Sequence, residues 1–145
     1  MSALRKVSLL GLLVAASVLG AAPAQAGDSC YYSSWSYYPQ RTYYYSYCYY
    51  TPPESTDYQY HYSICYPSTP RYVYYYNPSR HVYWGRYDLE AKGYSMLKEE
   101  DRKEQLKDIP ETAFPKPAEL PQIPGAKEGV KLVAPPAPPK EAPPQ

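Results

Sequence analysis

The sequence predicts a small, mostly-β fold: tyrosine-rich hairpins supplying about three strands, one short helix, and low-complexity or disordered flanks. Three observations carry that prediction. All 21 tyrosines fall between Tyr31 and Tyr94, and tyrosine favours strands. Proline and serine punctuate the same stretch and favour turns. Aliphatic residues there are nearly confined to Ile64, Val73, Val82, Leu89, Met96 and Leu97, so the core is small.

The strands are placed in residues 69–109. Arg71 to Tyr76 is β-rich, and Asn77-Pro78-Ser79-Arg80 has the chemistry of a turn. His81 to Tyr87 resumes strand character. Asp88 to Gly93 offers a second turn, and Tyr94 to Leu97 a third strand. Residues 98–107 (KEEDRKEQLK) predict a charged helix ended by Pro110. So short a helix needs docking, and Leu97, Leu106 and Ile109 are its only apolar contacts. Residues 27–68 are a tyrosine- and cysteine-rich low-complexity region, expected to hold short broken β segments. Residues 110–145 carry eleven prolines and are expected to form a disordered tail of polyproline-II character.

Residues 1–26 predict a cleavable secretory signal. Arg5 and Lys6 are followed by an apolar run from Val7 to Gly20. Ala24 and Ala26 are the small residues a signal peptidase reads, which places cleavage before Gly27. The run is short for a membrane span, so no transmembrane anchor is expected after cleavage. Losing Arg5 and Lys6 takes the net charge from +1 to −1. That leaves no basic field for nucleic acid.

Cys30, Cys48 and Cys65 would lie in an oxidising compartment. One bridge leaves one thiol, either incidental or pairing between chains. Cys30, Cys48, His61 and Cys65 could instead make a Cys3His zinc set. The close CxxC pair that usually nucleates such a site is missing, so no metal or other cofactor is expected. His61 and His81 sit in strand-like contexts with no nucleophile elbow, HExxH or glycine-rich phosphate loop nearby. Asp28, Glu54, Asp57, Asp88 and Glu90 show no acid/base spacing. The expectation is a non-enzymatic protein.

The positive chemistry lies in the rings. Tyr43-Tyr44-Tyr45 and Tyr74-Tyr75-Tyr76 place phenols on both faces of a strand. Tyr83, Trp84 and Tyr87 extend the surface into the next strand. Buried tyrosine needs a hydroxyl partner, so many of the 21 rings are expected outside. Exposed aromatic surface points to association. The leading expectation is an exported structural or interaction protein of the cell envelope or surface, self-associating through tyrosine, with disulfide or dityrosine cross-links. The alternative is a module that binds carbohydrate or another ligand, such as an envelope polymer or glycan, on exposed Tyr and Trp.

Tyr74-Tyr75-Tyr76-Asn77 followed by Trp84 resembles the second half of a WW domain, but the Asn-to-Trp gap is one residue short. The earlier Trp and the closing Pro are also missing. What survives is that a tyrosine-lined hairpin can hold a polyproline segment. The block YYYNPSRHVYWGRYDLEAKGYSMLKEEDRKEQLKDIPETAFPKP, continuing to about Gly125, is similar to uncharacterised tyrosine-rich secreted proteins of planctomycete-type bacteria. That resemblance implies export and a small folded block. It brings no activity.

Overall fold

A computed structural model describes residues 30–52, 59–126 and 129–143. The signal pattern, with Ala24, Ala26 and Gly27, lies outside the described residues. Seven antiparallel strands form one sheet: β1 (Tyr31–Tyr32), β2 (Ser36–Tyr38), β3 (Tyr43–Tyr50), β4 (Gln59–Cys65), β5 (Tyr72–Asn77), β6 (Val82–Asp88) and β7 (Gly93–Met96). From β3 to β7 each strand pairs with its neighbour in sequence, while β1 and β2 both pair with the free edge of β3. The sheet curls into a half-barrel.

Turn chemistry explains the hairpins. Asn77 Oδ1 accepts hydrogen bonds from the backbone N–H groups of Ser79 and Arg80. Asp88 Oδ1 accepts those of Glu90 and Ala91. Each loop then reverses through a left-handed residue just before the next strand: Thr42 (φ 54°), His81 (φ 55°) and Lys92 (φ 54°). Between β5 and β6 a bulge lets Trp84 and Gly85 occupy the space opposite Tyr75. Both then face inward. A Cβ on Gly85 would stand 1.9 Å from the Tyr94 hydroxyl, so glycine here is a packing requirement.

The prediction of about three strands with one helix is wrong in two ways. Four further strands, β1 to β4, occupy the stretch read as low-complexity. They are ordered because β3 alternates strictly: Tyr44, Ser46, Cys48 and Tyr50 are buried, while Tyr43, Tyr45, Tyr47 and Tyr49 are half-buried. His61, Ser63 and Cys65 of β4 lie opposite Cys48, Ser46 and Tyr44 and continue the inner face. The predicted helix over 98–107 is also absent. Two single 3₁₀ turns, Glu99–Asp101 and Leu106–Asp108, stand there, with a third at Glu111–Ala113. Two forces stretch this segment. The Tyr83 N–H donates to the Lys103 carbonyl at 2.8 Å. Leu97, Leu106 and Ile109 must also all reach the outer face of β5 and β6. One short helix could not present that wide a spacing.

The flank beyond residue 115 is not loose either. Ala118 exchanges backbone hydrogen bonds with Tyr94, both 2.8 Å. Residues 120–126 and 129–136 then cross the concave face. Ile123, Val130 and Leu132 are buried there against Cys48, Tyr75, Trp84 and Tyr94. Leu132 N–H donates to the Pro121 carbonyl and Ile123 N–H to that of Val130, so the crossing holds its own shape.

Candidate functional site: the outer tyrosine face

Alternation gives the sheet two aromatic faces of different character. On the inner face phenols are core. Tyr75 and Trp84 stack 5.3 Å apart, and both pack on Tyr94 at 5.5 Å. The Tyr94 hydroxyl and Trp84 indole N–H have no partner, while other ring donors find theirs in two ways. Tyr32 and Tyr75 hydrogen-bond to each other at 2.9 Å. Tyr32, Trp35 and Tyr44 donate to the carbonyls of Val133, Pro136 and Glu141 in the C-terminal segment. Backbone carbonyls of the C-terminal segment thus serve as acceptors for two phenols and one indole.

The outer face has two halves. Over β5–β7 it is covered by residues 97–114. Arg86 clips that cover down: its guanidinium lies between the rings of Tyr72 (3.8 Å) and Phe114 (4.1 Å). It also holds Glu111 through two hydrogen bonds. Over β3 and β4 the cover reaches Ile64, with Tyr43, Tyr45 and Tyr62 packed at its edge, and it does not extend to Tyr47, Tyr49 and Tyr60. Here Tyr43, Tyr45, Tyr47 and Tyr49 run along β3, and Tyr60 and Tyr62 stand beside them on β4. Adjacent ring centres are 4.9–6.5 Å apart. Most neighbours meet nearly at right angles: 89° for Tyr43–Tyr45, 80° for Tyr45–Tyr47 and 81° for Tyr47–Tyr60. This edge-to-face array fixes the rings against one another. It also leaves a ridged surface rather than a flat one.

An open recess of about 470 Å³ adjoins the array, lined among others by Arg41, Tyr43, Tyr62, Tyr76, Glu104 and Lys107. Charges of both signs therefore rim the rings. Burial pushes the hydroxyls of Tyr43, Tyr62 and Tyr76 above the usual phenol range, so they stay protonated donors at neutral pH.

The residues singled out from the sequence divide between these surfaces. Tyr43, Tyr45 and Tyr76 lie on the outer face, half-buried. Tyr74 and Tyr83 share that face but are buried, Tyr74 in edge contact with Phe114 of the cover. Tyr44, Tyr75, Trp84 and Tyr87 belong to the inner core. Tyr47, Tyr49, Tyr60 and Tyr62 complete the array and were missed. Plain period-two counting through YYYSYCYY and QYHYSIC would have found them.

The three cysteines are buried free thiols on the inner face. Cys48 lies opposite His61, but Cys65 is four residues further along β4, opposite Tyr44. The Cys3His set therefore does not converge, and among the described residues no three His, Cys, Asp or Glu side chains are placed to hold a metal. The Cys48–His61 pair also lacks the electrostatics of a nucleophile and its base. Burial pushes the Cys48 thiol well up and brings His61 down to about 4, so both are neutral. His61 sits between the rings of Tyr50 and Trp84, with neither ring nitrogen hydrogen-bonded.

Among the described residues no helix is long and apolar enough to cross a membrane. No family model, curated protein or solved structure matches the chain.

Proposed function

We propose that this chain is an exported, non-enzymatic interaction protein that assembles with further copies of itself through the outer face of β3 and β4. One observation carries the reading: six tyrosines on two adjacent strands form a continuous, mostly edge-to-face array that the described residues leave partly exposed. A ridged ring array is self-complementary, because ridges of one copy seat in furrows of another. The rim matches this, with Arg41 and Lys107 on one side of the charge balance and Glu104 on the other. A net charge near zero removes long-range repulsion between copies. Export rests on the N-terminal charge, apolar run and Ala24-Gln25-Ala26 pattern.

Sedimentation of the purified protein tests the assembly. Wild type should sediment as a dimer or larger species, and Tyr47→Ser/Tyr62→Ser as a monomer of nearly unchanged thermal stability. A wild-type chain that stays monomeric at about 100 μM, a concentration at which even weak specific contacts of 8 kcal/mol are saturated, would refute self-assembly.

The second reading is glycan binding, and the recess favours it. Tyr62 and Tyr76 offer ring surface there beside Arg41 and Glu104, which can hydrogen-bond sugar hydroxyls. Retention of a monomeric chain on a cell-wall glycan column, lost in Tyr62→Ser, would select it.

A further inference from the structure

The three cysteines are not equivalent, and their placement assigns the connectivity. Cys30 immediately precedes β1, and β1 pairs with β3 through Tyr31↔Tyr49 and Tyr32↔Cys48. Cys30 thus lies on the same face as Cys48, diagonally across the strand pair. The two thiols are near enough to perturb each other's ionisation, with the Tyr32 hydroxyl beside them. Cys65 is placed differently. Its partner across the ladder is Tyr44, while that of Cys48 is His61. Four residues of strand separate those rungs, or about 13 Å at ~3.3 Å per residue. A disulfide needs Cα atoms within about 7 Å.

We propose that Cys30 and Cys48 are joined by an intrachain disulfide beneath the C-terminal crossing, and that Cys65 stays a free, buried thiol. The bridge has a structural task. β1 is only two residues long and lies on the edge of the sheet, yet its Tyr32 hydroxyl holds the Val133 carbonyl. Joining Cys30 to β3 fixes this weak strand where the crossing must land.

With Cys30 as the entry thiol, its thiolate attacks an external disulfide, such as oxidised glutathione. The first step forms a mixed disulfide on Cys30 and releases one glutathione thiolate. Cys48 then loses its proton to solvent and attacks the Cys30 sulfur, expelling the second glutathione thiolate. Two electrons pass from the protein to the glutathione disulfide. Cys30 and Cys48 are buried in the finished fold. Lys131 caps the Cys30 N–H at 3.4 Å. The exchange accordingly precedes seating of residues 131–133.

The test is independent of self-assembly. The full chain is refolded in equal oxidised and reduced glutathione, acid-quenched, alkylated and mapped by mass spectrometry. Trypsin leaves Cys48 and Cys65 on one peptide, so an aspartate-directed protease is added to cut at Asp57 between them. The expected map joins the Cys30 and Cys48 peptides, lighter by two hydrogens, with the alkyl group on Cys65. Cys65→Ser should keep the link. Reduction should lower the wild-type melting temperature by roughly 10 °C, the scale for closing a loop of this length. Three alkylated cysteines, a link through Cys65, or an interchain link would each overturn the assignment. The wild-type map decides even if Cys30→Ser or Cys48→Ser fails to fold.

Discussion

The inner and outer faces of this sheet are built from the same residues on the same strands, yet one is core and the other is surface. Along β3, Tyr44 and Tyr50 are buried while Tyr45 and Tyr49 are half open. The difference is in what lies across each face. Residues 120–126 and 129–136 cross the inner face and offer carbonyls to the Tyr32 phenol and the Trp35 indole. Residues 97–114 cover the β5–β7 half of the outer face and reach Ile64 of β4, leaving Tyr47, Tyr49 and Tyr60 outside that cluster. Tyrosine content therefore sets neither burial nor exposure here. A ring goes inside where the returning chain packs over it, with its hydroxyl hydrogen-bonded at Tyr44 and Tyr75 and left without a partner at Tyr94.

The largest effect should come from uncovering the inner face. Removing residues 120–145 strips away Ile123, Val130 and Leu132, each worth ~1.5–3 kcal/mol of burial. A loss of about 5 kcal/mol approaches the whole stability of a small domain. The expected result is no cooperative thermal transition by circular dichroism. If the truncated chain melts cooperatively near the wild-type temperature, the crossing is not a core element.

His61 should make the inner face acid-sensitive. Its folded value is about 4, below the ordinary 6.5, because burial disfavours the charged ring. The unfolded chain therefore takes up a proton first as pH falls. Stability is full above 6.5 and declines by about 3 kcal/mol toward pH 4. His61→Phe keeps an aromatic ring between Tyr50 and Trp84 and removes both unbonded nitrogens. Urea titrations across that window should show the decline nearly abolished. An equal slope in wild type and variant would clear His61 of the effect.

Gly85→Ala probes the same face by crowding. Its Cβ would meet the Tyr94 hydroxyl at 1.9 Å and the Ser95 carbonyl oxygen at 2.6 Å. A cost of ~2–3 kcal/mol in the urea midpoint is expected. The smallest effect on stability should come from the outer face. Tyr47→Ser with Tyr62→Ser should cost under about 1.5 kcal/mol, the scale of edge-to-face contacts, while abolishing assembly. Greater destabilisation there than at Gly85 would reverse the comparison between the faces.

Much of this was legible, though not all of it. The hairpin turns were readable from Asn77-Pro78 and from the stretch after Asp88, because side-chain capping is local chemistry. β5, β6 and β7 fall close to where the sequence placed them. β3 and β4 were hidden by composition, since YYYSYCYY looks uniform until every second position is weighed by size. Ser46 and Ser63 then stand out, small residues facing each other where the sheet curls. The role of the C-terminal segment was not local at all. Nothing in VAPPAPP states that Tyr32 and Trp35, about a hundred positions earlier, will donate to its carbonyls. The Cys30–Cys48 pairing was unreadable for the same reason, because it depends on register.

The crossing also sets an order of events in time. The Tyr32 hydroxyl waits for a carbonyl 101 residues downstream, and that of Tyr44 for one 97 downstream. Loops of that length close slowly, and contacts so distant in sequence delay the folding transition. During synthesis the first strands of the sheet are made long before the segment that seals them. Until Ile123, Val130 and Leu132 emerge, the half-barrel is an open trough with its aromatic lining bare. Arrival of that segment, rather than formation of the sheet, is the event that closes the core.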